Sequence, residues 1–550
     1  MSISIHFYLF ATIIFCKMLK TADHSGFYLY QNRLPAVSSH RQGKGLAGSD
    51  LIIETGDTRV RDSFKAKKAL SQKARFPLRT PDAALNTVYV MGSPLHLPYN
   101  YTLNPDINKA GSLNTQRVLT ALKRDLAQIG LSKGFVVRSL PQHSMWLGNS
   151  HTPLADGRIY FPKVEKKAYE ISRAARFLQN RRSIHHIFQG EFGEEAKRTD
   201  IERDYGNQAK IGKTYLEAGN MRVGKKRDGS YGVVIGSDSL YMSMLILDRD
   251  YELAARDIDR VLAQKKFSDE LIDRTVADLT LTNIKKTTQY LNKIDGVQKD
   301  SGIKYDDELS YGEEMSQNYA LDPDLPIWEK KYKAQRFLAK LELTKEAIAR
   351  DLEVKVRDIT FVDQPDAFHL DLALAEHPKG GFLVHSDKCA LDTLRDLAMK
   401  KAQIGYYDNF MDAAKWSMDK NGAIQERLAQ QLEEAGYEVD LIGARFGHLE
   451  NQSTFVNKGT TMREDANYLN GRSAIACDGS NFHLALGTGI AGLNKAVLED
   501  LIRDDRKLKM DEVFLIGAED VAHQEEPYKF TNSKYILERQ GALRCITFAA

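Results

Sequence analysis

The sequence predicts an α/β protein, and three observations lead to that prediction. From about residue 84 onward, short apolar segments typical of strands alternate with longer segments of helical periodicity. The alternation forms about five units in the order strand, strand, helix, strand, although no repeat is visible in the letters themselves. With 550 residues, 42% of them hydrophobic, the chain can also bury a large core.

The first units precede residue 249. "NTVYVM" and "FVVRSL" have the apolar pattern of strands, and the helical "TQRVLTALKRDLAQIG" between them ends at a glycine. "MWLGN" and "GRIYF" are predicted strands, and the helical "VEKKAYEISRAARFLQNRR" follows them. "TYLEAGNMRVG" and "YGVVIG" predict a hairpin around the polar turn "KKRDGS".

The pattern changes at residues 249–352, which are charged and have helical periodicity, with Ala334, Leu338 and Leu341 at helix spacing. We predict a helical insertion there, which either covers part of the core or forms a lid over a site. It interrupts one domain, residues 84–550. A third interpretation is a multi-domain α/β protein in which this insertion binds a partner.

The last units follow the insertion. Strands are predicted at "RDITFV", "FHLDLALAEHPKGGFLVH" and "EVDLIG", with a long helical stretch from Lys388 to about Gly436. The final unit contains "TFVN", "YLNGRSAIACD", "FHLALG", the helix "GLNKAVLEDLIRDD" and the strand "DEVFLIG". "LRCITFA" is the last predicted strand, and it contains Cys545.

Residues 1–83 are predicted to form an irregular, partly disordered leader. Residues 41–80 contain ten Lys or Arg against four acidic residues, which fits a solvated leader better than a basic arm for an acidic partner. The apolar run Phe7–Cys16 is too short to span a bilayer and lacks a basic segment before it. We therefore predict a cytoplasmic protein without a stable membrane span. One alternative is that this run directs export of the protein. Another is that translation begins at Met18.

Charge and cysteine content exclude some classes of partner. The net charge of +3 gives no general attraction to nucleic acid or membranes. The four cysteines form no CxxC motif and have no metal-like spacing with histidine, so we expect neither a disulfide framework nor a metal site. The oligomeric state is left open.

Four short stretches could carry chemistry, and each also has a structural explanation. In the predicted strand "FHLDLALAEH", His369 and Asp371 would share one face. Glu217 precedes the small residues of "EAGN", which permit close backbone approach, but it could be an edge-strand glutamate. Asn149 in "MWLGN" could start a turn, and Cys545 could be a small buried residue. A second His-x-Asp, at His385, is better explained by helix capping.

In their order along the chain, "WLGN", "EAGN", "HLD" and "LRCIT" resemble the motifs of the guanidino-group-modifying superfamily. Its members include arginine, agmatine and peptidylarginine deiminases, amidinotransferases and N-succinylarginine dihydrolases. The resemblance covers about residues 84–550. It implies the pentein fold, a five-bladed β/α propeller, which agrees with the five units predicted above.

The resemblance also implies catalytic roles. Cys545 would attack the guanidino carbon as a thiolate and form a covalent thiouronium intermediate. His369 would protonate the departing amine and then deprotonate a water molecule, and Glu217 would orient His369. The implied activity is hydrolysis of arginine, an arginine derivative or peptidyl-arginine without a cofactor. An amidinotransferase is the alternative, and an inactive pentein-fold binding protein is the alternative of a different class.

Substrate binding would fall to Asp371, which would pair with the guanidinium, and to Asn149 and Trp146. Two positions depart from the motifs of the superfamily. Most deiminases have aspartate where this chain has Asn149, although N-succinylarginine dihydrolases have asparagine in a similar "M-W-x-x-N" context. Ala218 replaces a glycine.

Overall fold

The computed structural model describes eleven stretches of the chain, and the account below concerns them alone. These are residues 76–91, 105–140, 152–162, 206–281, 283–284, 311–365, 369–401, 404–453, 458–488, 490–517 and 543–549. Most of the predicted leader, and the predicted helix after "GRIYF", lie outside the described residues.

Seventeen strands are present in the described residues. They are β1 (Thr87–Met91), β2 (Val136–Leu140), β3 (Thr152–Pro153), β4 (Ile159–Phe161), β5 (Ala209–Ile211), β6 (Met221–Lys225), β7 (Tyr231–Gly236), β8 (Ile359–Val362), β9 (Leu374–Glu376), β10 (Phe382–His385), β11 (Val439–Ile442), β12 (Arg445–Ser453), β13 (Lys458–Asn467), β14 (Arg472–Ile475), β15 (Asn481–Leu486), β16 (Glu512–Ile516) and β17 (Thr547–Ala549).

Ten α-helices lie between these strands within the same stretches. They are α1 (Pro105–Lys133), α2 (Ser237–Arg249), α3 (Ala255–Gln264), α4 (Asp269–Asp278), α5 (Tyr311–Tyr319), α6 (Ile327–Leu352), α7 (Asp387–Lys401), α8 (Ile404–Glu434), α9 (Ala491–Leu501) and α10 (Leu543–Ile546). Short 3-10 turns occupy Gly206–Gln208, Ala218–Asn220, Val356–Asp358 and Leu370–Leu372. No described helix is long and apolar enough to cross a membrane.

Five three-stranded sheets of one pattern form the β structure, together with the two-stranded hairpin β12–β13. In each three-stranded sheet the central strand is antiparallel to one neighbour and parallel to the other. The sheets are β17–β1–β2, β3–β4–β5, β6–β7–β8, β9–β10–β11 and β14–β15–β16. The fold is therefore mixed α/β, as predicted. The placement of the five sheets as blades around one axis stays a prediction.

Central strands are buried on both faces, which explains their continuous apolar sequence. Val233, Val234 and Ile235 of β7 are all fully buried. The helix in the crossover to a parallel neighbour packs on one face of such a strand while the other face packs on the rest of the core, so the alternation of apolar and polar residues is lost. The predicted hairpin around "KKRDGS" is present as β6 and β7.

The predicted insertion is helical where the structure describes it. Helices α2 to α6 all lie in the crossover between β7 and its parallel partner β8. Ala334 and Leu338 of α6 are buried in a core that these helices share, and Leu341 is partly buried against it. The helical segment starts at Ser237, before the predicted boundary at 249.

The strand predictions are wrong at three of the predicted site residues. Glu217 precedes the 3-10 turn Ala218–Asn220, and His369 precedes the turn Leu370–Leu372, so neither lies in a strand. Cys545 lies in α10, and the last strand begins only at Thr547. The hydroxyl of Thr547 donates to the carbonyl of Leu543 at 2.7 Å, which closes this helical turn.

Candidate active site

A glutamate and a histidine from distant segments meet in the interior. Nε2 of His369 lies 2.6 Å from Oε2 of Glu217, and His369 is only 2% exposed. The hydroxyl of Tyr215 donates to the other oxygen, Oε1 of Glu217, at 2.9 Å. Because both carboxylate oxygens are engaged, Glu217 holds the imidazole in one orientation.

The two 3-10 turns bring this pair together. A Cβ at Gly219 would lie 2.6 Å from Nδ1 of His369, so only glycine leaves room for the imidazole. Oδ1 of the buried Asn220 accepts the backbone N–H of Leu370 at 3.0 Å. The close approach expected from the small residues after Glu217 is therefore present, and the group that approaches is His369.

Asp371 pairs with a guanidinium of the protein itself. Nη2 of Arg222 lies 3.0 Å from Oδ2 of Asp371, and both side chains are fully buried. Arg222 also donates to the carbonyls of Ala218 and Met221, at 3.1 and 2.7 Å. The sequence analysis did not single out Arg222. An arginine between apolar residues of a buried strand could have indicated a buried ion pair.

Glu376 extends this pair into a buried network of charges. Its Oε2 lies 3.4 Å from Nε of Arg222, and its Oε1 accepts a hydrogen bond from Arg544. Burial alone would raise the pKa of Glu376, but the charges of Arg544 and Arg222 outweigh it and lower the pKa to about 2. Glu376 is therefore ionised at neutral pH and connects the Asp371 region to the residue before Cys545.

Backbone hydrogen bonds also hold the chain at the residue before Cys545. The backbone N–H of Arg544 donates to the carbonyl and to the side-chain oxygen of Asn470, at 3.1 and 3.2 Å. The side chain of Cys545 is outside what the structure describes, as are Asn149 and Trp146. Convergence of these three predicted site residues on His369 stays a prediction.

Comparison with known proteins gives similarity at the level of structure alone. No family model matches the chain, and no curated protein matches it. It is similar to a substrate-bound cysteine-to-serine variant of C. jejuni agmatine deiminase at 8% identity and a TM-score of 0.37, covering 88% of this chain and 98% of the other. A Porphyromonas gingivalis protein assigned as an arginine deiminase matches at 11% identity and a TM-score of 0.38, covering 86% and 98%.

A protein assigned as a peptidyl-arginine deiminase gives 9% identity and a TM-score of 0.37, and it covers 86% of this chain and 98% of the other. All three proteins are deiminases by their descriptions. At such low TM-scores and identities the family is not assigned, and the function has to be inferred from the residues of this chain.

The second His-x-Asp pair has a structural role. Nε2 of the buried His385 lies 3.0 Å from Oδ1 of Asp387, whose Oδ2 accepts from Ser417 and Gln425 at 2.8 and 2.7 Å. The hydroxyl of Ser386 accepts the backbone N–H of Cys389 at 3.4 Å, as expected of a helix cap. No cluster of metal ligands is found within the described stretches.

Proposed function

We propose that this protein is a cysteine-dependent hydrolase that acts on the guanidino group of arginine, an arginine derivative or peptidyl-arginine. The observation that supports it is the buried contact of 2.6 Å between His369 and Glu217. An imidazole held by a carboxylate can act as acid and base in turn, which this chemistry requires.

The proposed reaction has two steps. The Cys545 thiolate attacks the guanidino carbon, and the C–N bond breaks as the His369 imidazolium protonates the departing NH2 group, which leaves as ammonia. His369 then takes a proton from water, which attacks the thiouronium carbon. The C–S bond breaks, the ureido product is released, and the Cys545 thiolate is regenerated. Glu217 stabilises the His369 imidazolium that is present before ammonia departs and forms again when the water is deprotonated.

Substrate binding is proposed for Asp371, Asn149 and Trp146. Asp371 would have to share its carboxylate between Arg222 and the incoming guanidinium, because Arg222 lies 3.0 Å from it. A carboxylate can accept hydrogen bonds from more than one donor, so the two roles are compatible.

The test uses the Cys545→Ser variant. Wild type incubated with arginine, N-acylarginines and arginyl peptides should release ammonia and raise the substrate mass by about one dalton per imino-to-oxo exchange, whereas the variant should do neither. Cys477→Ser is the matched control, because Cys477 is an exposed free cysteine, and it should behave as wild type. Activity that persists in Cys545→Ser would refute the proposal, and transfer of the amidino group to an added amine would indicate an amidinotransferase.

A binding protein without catalysis is the second candidate function. The observation that favours it is the fully buried ion pair between Arg222 and Asp371, which gives the predicted substrate-binding carboxylate an internal partner. This candidate predicts that calorimetry detects a guanidino ligand while a haloacetamidine probe leaves Cys545 unlabelled. Labelling of Cys545 that arginine prevents would exclude it.

A further inference from the structure

A small cavity with basic walls lies beside the buried network of charges. Its volume is about 60 Å³, and its polar walls include Arg79, Arg472, Arg544, Glu376 and Thr152. A water molecule needs roughly 10–15 Å³ of such volume, so the cavity can hold a few waters or one small ion.

Cations predominate among the charged side chains of this wall. Three guanidinium groups face one carboxylate, Glu376. That carboxylate is already shared, because it accepts from Arg544 and lies 3.4 Å from Nε of Arg222. Its negative charge is therefore opposed by guanidinium groups, and the wall retains more positive than negative groups.

Arg79 lines this cavity and donates to neutral backbone oxygens. Its Nη2 donates to the carbonyls of Ala83 and Ala84, at 3.0 and 3.4 Å, and no carboxylate in the described part of the chain forms a salt bridge with it. Burial lowers the pKa of Arg79 to about 10; the negative charges of Glu376 and Asp82 oppose this effect, and the positive charge of Arg544 adds to it. Arg79 is half-buried, and a charge that is partly removed from water is stabilised by an opposite charge near it.

Thr152 gives independent support for a ligand. It is 6% exposed and lines the cavity, and its hydroxyl has no hydrogen-bond partner within the described residues. Buried polar groups normally have a partner, so an unsatisfied hydroxyl at a cavity wall indicates a missing acceptor or a water. A hydroxyl can donate to an anion, as guanidinium groups do.

We propose that this cavity binds one small monovalent anion of chloride size, held by Arg79, Arg472 and Arg544 and by the hydroxyl of Thr152. The anion adds a negative charge in direct contact with Arg79 and provides an acceptor for the hydroxyl of Thr152. The cavity is lined by Ala218 and Arg544, the chain neighbours of Glu217 and Cys545, but the anion-site proposal does not depend on the proposed function.

Thermal unfolding in sodium chloride and in sodium gluconate at equal ionic strength tests the proposal, because gluconate is too large for the cavity. The full-length protein should show a saturable rise in Tm with chloride, on the order of 1–2 °C at ten times the dissociation constant. It should also broaden the chloride NMR line. Equal Tm values in the two salts and an unbroadened line would overturn the proposal.

Variants localise the site. Arg79→Gln should abolish the chloride-dependent rise, whereas Arg158→Gln should retain it, because Arg158 pairs with Asp156 and Glu353 on the surface. If Arg79→Gln does not fold, Thr152→Val provides the test, since valine has the same shape. It should bind chloride about tenfold more weakly and be at least as stable as wild type in gluconate. A chloride response unchanged in both folded variants would place the anion elsewhere.

Discussion

The contact between Glu217 and His369 depends on a residue that has no side chain. Gly219 lies between the two polypeptide segments, and any Cβ there would fall 2.6 Å from Nδ1 of the imidazole. The imidazole is 2% exposed and cannot move into solvent without disturbing its neighbours. At the scale of single residues, space therefore decides whether the contact between Glu217 and His369 forms.

Gly219→Ala should displace the imidazole and destabilise the protein by about 1–3 kcal/mol, because a buried atom is added where no room exists. Urea unfolding measures this change. Gly422→Ala is the matched control, since its Cβ would lie 3.5 Å from Cγ of Met418 in helix α8. That variant should gain about 0.5–1 kcal/mol. A neutral Gly219→Ala variant would contradict the close packing described here.

His377 should make the protein sensitive to acid. Its Nδ1 accepts the N–H of Lys379 at 3.2 Å, and its Nε2 donates to the carbonyl of Lys509 at 3.1 Å, so the ring is neutral. Burial lowers its pKa to about 4, despite the opposing effect of the Lys509 carbonyl. In the unfolded chain the pKa is about 6.5.

As pH falls from about 6.5 to about 4, the unfolded chain takes up a proton at His377 that the folded protein does not, so about 3 kcal/mol of stability is lost. His377→Asn removes this titration and should lose less stability over the same interval. Denaturant unfolding at about pH 7 and about pH 4.5 compares the two proteins. Equal losses in wild type and variant would show that His377 is not the group that responds.

At the scale of elements, the long helix α6 holds the segment that leads to Glu217. Oδ2 of Asp351, near the end of α6, accepts the backbone N–H groups of Lys213 and Thr214, each at 2.8 Å, and the Thr214 hydroxyl at 2.7 Å. The helical insertion thus contributes to the position of the candidate site without supplying a catalytic group.

Asp351→Ala should therefore destabilise the protein by about 3 kcal/mol, because three donors lose a charged acceptor. Hydrogen exchange at the Lys213 and Thr214 amides should become faster. Asp259→Ala is the control, because that exposed carboxylate pairs with Arg336 on the surface, and its effect should stay within about 0.5 kcal/mol. Unchanged exchange at both amides would refute this role of α6.

The ends of the described chain meet at the scale of the whole molecule. β17 pairs antiparallel with β1, with Val88 opposite Ala549 and Val90 opposite Thr547. Val88 and Val90 also pack in one core with Leu126 of α1. The last strand therefore completes the sheet of the first strand and holds α10, with Cys545, against the body of the protein.

Removal of residues 547–550 should open this sheet and lower the free energy of unfolding by at least about 3 kcal/mol, since β1 loses its antiparallel partner. The buried Thr547, whose hydroxyl accepts from Nε of Arg472 at 3.0 Å, is lost as well. Limited proteolysis and thermal unfolding detect the change. A truncated protein as stable as wild type would show that the pairing of first and last strands contributes little.

Sequence patterns located most elements correctly because local spacing reports burial. The apolar run that contains Val233 became the central strand β7, and Ala334 and Leu338 became the buried face of α6. The local structure at the candidate site residues was less predictable, because Glu217, His369 and Cys545 lie in short turns beside strands. Such turns are stabilised by contacts with distant segments, for example Asn220 with Leu370.

The sequence by itself determined the mixed α/β class, the helical character of the insertion and the identity of an acid and a base that could work together. Only the tertiary structure decided that Glu217 contacts His369, that Asp371 pairs with Arg222, and that Arg544 pairs with Glu376. The physical reason is that periodicity depends on neighbours along the chain. Pairing of buried charges depends on which distant segments come together when water is excluded.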